Sequence, residues 1–186
     1  CKNLKVLQIV DFYISKIKID QCEKLESLDI QHADNLVDLE LNNCSKLKEI
    51  ILSHNDRLAI GRFDLTYCKE LLRATICEMK ITELSMEDCK KLSYLSVRDN
   101  DLKELNIRGC NNLEDISDIL NLQNIKEIYV SDYNNINFAP ILEGELNNNI
   151  SFISENDYCA YNYPNKVLPE YMYDILAKCD GKHSNN

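Results

Sequence analysis

The chain has 186 residues, and its 21 Lys and Arg against 31 Asp and Glu give a net charge of −10. This acidity argues against nucleic acid as a partner, because phosphate backbones are bound by surfaces rich in Lys and Arg. No apolar run reaches the roughly 18 residues that a transmembrane segment needs. The four glycines and three histidines form no phosphate-binding loop and no zinc-hydrolase motif. The sequence therefore predicts no catalytic residue, no cofactor and no metal site.

From its first residue the chain is organised around a periodic cysteine. Six of the nine cysteines follow one another at intervals of 21, 22, 24, 21 and 21 residues, namely Cys1, Cys22, Cys44, Cys68, Cys89 and Cys110. Nearly all rows fit one template, which reads C-x2-L-x2-L-x-I, a short polar turn, then L-x2-L-x-L-x2 before the next cysteine. Side chains alternate between the two sides of a strand, so Leu39 and Leu41 point inward while Glu40 points outward. Each row thus predicts two short strands in one coil of a solenoid.

The second half of the row resembles the leucine-rich repeat. Its pattern L-x2-L-x-L-x2-C-x2-L is formed by Leu36, Leu39, Leu41, Cys44 and Leu47. The short rows, the strands on both faces and the cysteine resemble bacterial repeats, such as those of internalin J and related surface proteins. The resemblance covers about residues 1–138. It implies a leucine-rich-repeat β-solenoid of about six stacked coils with few or no convex helices, which binds a protein ligand.

The periodic cysteines and the other three have different expected roles. Equivalent residues of stacked coils lie about 4.8 Å apart, so the six periodic cysteines are expected to form an internal ladder of buried, reduced thiols. Cys77 falls one step beyond Ile76, at an outward position, and is the predicted reactive thiol of the repeats. Cys159 and Cys179 could form a disulfide if the protein is exported.

Two features distinguish the predicted turns. The third row has 24 residues, and its excess around residues 53–60 predicts a bulged turn. His32 and His54 occupy equivalent positions in adjacent turns. They are expected to be exposed turn residues rather than a metal-binding or pH-sensitive pair.

The outward side chains of the second strand in each coil form the predicted binding face. They stack into a polar plane of mixed charge, which we expect to have no pocket and to bind a protein. A merely solvated sheet face would also be polar, so this assignment stays open. The candidate ligand-binding residues are Lys18, Asp38, Glu40, Arg62, Asp64, Tyr67, Glu83, Glu104, Arg108 and Tyr129. Among them Arg62, Tyr67, Arg108 and Tyr129 are of the types that favour interface anchors.

The pattern fades near Phe138, where we expect the solenoid to end. A C-terminal cap is predicted over residues 139–180, with a short helix beginning at Leu168, and a disordered tail over 181–186. The first coil begins directly at its cysteine, which predicts a preceding part of a longer parent chain. The alternative is a lipoprotein anchored through Cys1.

The predicted function is a non-catalytic protein-interaction module, in the manner of a bacterial surface adhesin or host-interaction protein. Two alternatives stay open. The repeats could form a rigid spacer or stalk, or they could be the targeting arm of a larger effector enzyme. A secreted or cell-surface location is favoured over the cytoplasm, while the ligand and the oligomeric state are not predicted.

Overall fold

The structure is a computed structural model that describes residues 1–55, 57, 58, 60–131 and 151–153. The first strands of successive coils form one parallel sheet, sheet A, from β1 (Val6–Val10), β3 (Ser27–Gln31), β5 (Glu49–Ser53), β7 (Arg73–Cys77) and β9 (Tyr94–Ser96). The second strands form two sheets. Sheet B contains β2 (Lys16–Asp20) and β4 (Asp38–Asn42), and sheet C contains β6 (Arg62–Asp64), β8 (Glu83–Ser85), β10 (Glu104–Asn106), β11 (Glu127–Tyr129) and β12 (Ser151–Ile153). The predicted β-solenoid of parallel strands is confirmed.

The strand register follows the sequence period. Leu7 pairs with Leu28, and Ile17 of β2 pairs with Leu39 of β4. The inward residues of sheet A and of the opposite face meet in one core along the solenoid axis, where Leu28 and Ile30 are fully buried. Burial of these apolar rows is the main stabilising contribution to the fold.

The corners of the coil use left-handed backbone at two equivalent places. One lies just after each sheet A strand, at Asp11, His32, His54, Glu78 and Asp99, with φ between 52° and 56°. The other precedes the periodic cysteine and includes Gly109 at φ 70°. Gln21, Asn43 and Asp88 occupy this corner in other coils, but a Cβ atom at Gly109 would lie 2.5 Å from Asp88 Oδ1 and 3.1 Å from Asp88 Cα, so glycine is required at position 109 itself.

Two buried asparagines bridge neighbouring coils, and they were not predicted. Asn55 donates to the carbonyl oxygens of Ile30 and Ser53 and accepts from the Ala33 N–H at 3.0 Å. Asn100 bonds the preceding coil in the same way. The sequence does contain the signal, because residues 47–55 and 92–100 both read L-x2-[IL]-x-[LV]-x2-N.

The stack is irregular at two places. Strands β4 and β6 belong to different sheets, and the extra residues of the long third row lie between them in the chain. In the last described coil a 3₁₀ helix, Ser117–Asn121, replaces the first strand. Asp118 stands there at the position that Val97 fills with an apolar side chain, and a carboxylate is too costly to bury in that core. Asp118 instead accepts a hydrogen bond from Ser96 of β9.

Part of the predicted cap contributes to sheet C. Strand β12 lies within residues 139–180 and pairs with β11, where Glu127 lies opposite Ser151. Sheet C therefore continues past residue 138. Phe138, Leu168, Cys159, Cys179 and the tail lie outside the described residues. Within the part of the chain that the structure describes, no helix is long and apolar enough to cross a membrane.

Candidate protein-binding face

The outward side chains of sheets B and C, with the corner residues that follow them, are called the strand face below. Alternation along the strands buries Leu39, Phe63 and Leu105 and turns their neighbours outward. The predicted site residues all lie on this face, and each is exposed or half-buried. Tyr67, at the corner after β6, is 61% exposed.

The sheet B part of the face neutralises its own charges. Lys16 donates to Asp38 at 2.5 Å and to Glu40 at 3.0 Å, while Lys18 donates to Glu40 at 2.5 Å. The hydrogen bond from Lys18, with that from Lys16, lowers the pKa of Glu40. The hydrogen bond to Asp38, with that to Glu40, raises the pKa of Lys16, and the hydrogen bond to Glu40 raises the pKa of Lys18. These four charged side chains therefore already pair with one another.

The sheet C part has a different charge pattern. Glu83, Glu104 and Glu127 lie side by side in the register of β8, β10 and β11. Neighbouring strands are about 4.8 Å apart, so three like charges stand in a row. Among the described residues no Lys, Arg or His lies within 4.0 Å of these carboxylates. The carboxylates of Glu83 and Glu104 thus remain available to a partner.

Tyr129 and Arg108 form a stacked pair at the edge of this row. The Arg108 guanidinium carbon lies 5.0 Å from the centre of the Tyr129 ring, and the Tyr129 hydroxyl donates to Glu127 at 2.6 Å. That hydrogen bond raises the pKa of Tyr129 to about 12. Arg108 Nε is buried and has no hydrogen-bond partner within the described structure.

The face is not the plane without a pocket that the sequence predicted. A shallow depression of about 190 Å³ lies on sheet C, lined by Arg62, Glu83, Leu84, Ser85, Glu104, Asn106 and Tyr129. It forms because Ser85 is small and almost buried, at 9% exposure, between longer side chains on the neighbouring strands. The period-two pattern predicts which side chains point outward. It does not predict where a small outward side chain lies between longer ones on the neighbouring strands.

The periodic cysteines are free thiols in the described structure, exposed at Cys1 and buried at Cys22, Cys44, Cys68, Cys89 and Cys110. Several thiols bond backbone carbonyl oxygens, as Cys110 does with Met86 at 3.2 Å. Burial raises the pKa of Cys44 and Cys89 to about 11 and that of Cys68 and Cys110 to about 12. Because the thiolate is the reactive form, these cysteines are poor nucleophiles.

The outward position of Cys77 does not make this thiol exposed, as the prediction of a reactive thiol required. Cys77 is only 7% exposed, and its sulfur lies 3.4 Å from Ser96 Oγ on the neighbouring strand. Ser96 is itself held by Asp118 of the 3₁₀ helix. This 3₁₀ helix stands where the coil after β9 would have its first strand. It therefore holds in place the Ser96 hydroxyl that lies against the Cys77 sulfur.

The two turn histidines are both exposed, as predicted, and they lie in contact with each other. The rings of His32 and His54 stack with centroids 4.4 Å apart, and His54 Nε2 lies 3.1 Å from a Glu78 carboxylate oxygen. Within the described residues no three His, Cys, Asp or Glu side chains are arranged to hold a metal ion.

No known protein family has a model that matches this chain, and the curated proteins contain no match to it.

Proposed function

We propose that this chain is a non-catalytic leucine-rich-repeat module that binds a protein ligand through the sheet C part of the strand face. The observation that carries the proposal is the contrast between the two parts of that face. Sheet B pairs its charges internally, whereas Glu83 and Glu104 form no ion pair within the described residues, although Arg62 occupies the strand position opposite Glu83. Like charges on neighbouring strands lower stability. Such a local conflict is characteristic of functional sites.

The repeat class is supported by features of the coil. Most coils carry two segments with apolar residues in the spacing L-x2-L-x-L, with a buried cysteine after one and, in two coils, a buried asparagine after the other. These features resemble the bacterial leucine-rich repeats of internalin J and related surface proteins, including an internal cysteine ladder. A surface adhesin or host-interaction protein is the kind of molecule to which such a module would belong.

The test is affinity capture from extracts of the source and of any host, with two variants that match in net charge change. The first variant, Glu83→Gln with Glu104→Gln, alters sheet C. The second, Asp29→Asn with Glu49→Gln, alters outward residues of sheet A. The proposal expects a protein that the wild type and the sheet A variant retain and the sheet C variant loses. Equal retention by both variants would contradict it.

A rigid spacer is the second candidate, favoured by the ion pairs that link successive coils. Glu26 bonds Lys48 at 2.6 Å one coil away, and Glu70 bonds Lys91 at 2.6 Å in the same manner. Alternating charges along one edge hold the stack in register. A spacer predicts empty captures from every extract together with high resistance to bending.

A further inference from the structure

The depression on sheet C has the size and chemistry of a pocket for one side chain. Its volume of about 190 Å³ is too small for a helix or a strand. Its walls come from neighbouring strands, with Glu83 on β8, Glu104 on β10 and Tyr129 on β11. Leu84 and Ser85 complete the lining with apolar and small polar surface.

The geometry points to a receptor for a single arginine side chain projecting from a protein ligand, an inference that rests on the proposed function. The acceptors are the carboxylates of Glu83 and Glu104, which have no hydrogen-bond donor among the described residues. A guanidinium group carries several donors in one plane and can bond two acceptors at once. The net charge of −10 favours the approach of a basic partner.

The molecule itself shows why arginine fits this position better than lysine. Arg108 already lies over the Tyr129 ring at 5.0 Å, so the ring accepts a guanidinium as a stacking partner. Asn106 is held in place, because its amide nitrogen donates to Glu87 at 3.1 Å and its oxygen accepts from the Arg108 N–H at 3.1 Å. The depression therefore has a fixed polar edge.

Arg62 has a different role in this arrangement from the anchor that the sequence predicted. It also lines the depression, and its strand position lies opposite Glu83. A positive charge there repels an incoming guanidinium. Removal of Arg62 should strengthen binding of a basic side chain, whereas removal of a true anchor would weaken it.

The probe for the experiment is N-acetyl-arginine amide, with N-acetyl-citrulline amide as a neutral molecule of nearly the same shape. Backbone amide chemical shifts of the protein are followed by NMR during titration at low salt. We expect saturable shifts confined to residues near β8, β10 and Tyr129 with the arginine probe, and much smaller ones with citrulline. Glu104→Gln should weaken the arginine affinity about tenfold, and Arg62→Ala should strengthen it about two- to threefold.

Glu49→Gln on sheet A is the matched control, because it removes the same charge from the other face and should leave the affinity unchanged. Glu83→Gln replaces Glu104→Gln if the latter alters the spectrum of the whole protein. Equal shifts with citrulline, equal weakening by Glu49→Gln, or shifts spread over the acidic surface would overturn the inference. A partner that is captured through sheet C while the arginine probe gives no shift would leave the proposed function standing and reject the arginine pocket alone.

Discussion

Replacement of Asn100 by alanine tests the bridge between coils most directly. The Asn100 side chain is 8% exposed. Its amide nitrogen donates to Ile76 O at 2.6 Å, Val97 O at 3.0 Å and Arg98 O at 3.2 Å, and its oxygen accepts from the Met79 N–H at 3.2 Å. Alanine removes all of these contacts at once.

The magnitude follows from the groups that lose this partner. Arg98 O keeps a second donor, the Glu78 N–H at 3.1 Å, whereas Ile76 O, Val97 O and the Met79 N–H lose their bond to the side chain. A neutral hydrogen bond contributes about 1 kcal/mol, and a buried group left without a partner costs about 1 to 3 kcal/mol. We therefore expect Asn100→Ala to lower the free energy of unfolding by about 3 kcal/mol.

The assay is urea denaturation followed by circular dichroism, with Asn124→Ala as the control. Asn124 is exposed and makes one long hydrogen bond, 3.5 Å to Asp101, so its loss should change stability by less than about 0.5 kcal/mol. Comparable stabilities of the two variants would refute the argument that the buried amide joins the coils.

Three further predictions concern the thiols and the charged side chains. Burial raises the pKa of Cys89 from its ordinary value near 9 to about 11, so its contribution to stability is complete below pH 9 and is lost as the pH rises towards 11. Cys89→Ala should therefore flatten the decline of unfolding free energy between pH 9 and pH 11. Glu40→Gln should lower the melting temperature because it leaves Lys18 without its carboxylate partner and Lys16 with Asp38 alone, whereas Glu104→Gln should raise it because it relieves repulsion. Asp118→Ala should speed alkylation of Cys77 by iodoacetamide, measured by mass spectrometry, because Ser96 loses its partner.

Each of these predictions can fail separately. An unchanged pH profile in Cys89→Ala would mean that the buried thiol does not titrate differently in the folded and unfolded states. Melting temperatures that shift in the same direction for Glu40→Gln and Glu104→Gln would contradict the contrast between sheets B and C. Slow alkylation of Cys77 after Asp118→Ala, at the wild-type rate, would show that another contact protects the thiol.

The strands and their inward residues could be predicted because apolar residues with period two recur at a fixed interval. Leu28, Leu39 and Leu105 follow that rule, and all three are buried. The burial of Cys77 could not be predicted, since it depends on Ser96 and Asp118, two residues from different coils. A single-row pattern contains no information on such contacts.

The candidate site shows the same division. The outward directions of Glu83 and Glu104 follow from strand alternation, but their lack of an ion pair depends on the side chains of the neighbouring coils. The depression depends on the small Ser85 between larger neighbours. Asn55 and Asn100 are a different case, because their motif was present in the sequence and only its role was missed.

The separation of sheets B and C has a mechanical consequence. If the solenoid carried a tensile load along its axis, sheet A would transmit it through consecutive strands, from β1 to β9. The opposite side lacks that path where β4 and β6 belong to different sheets. Between the second and third coils, the Asn55 amide and the β3–β5 pairing therefore carry the force on the sheet A side only. Under load the second and third coils should therefore hinge open on the side of the strand face, which makes this junction the most compliant point of the described stack.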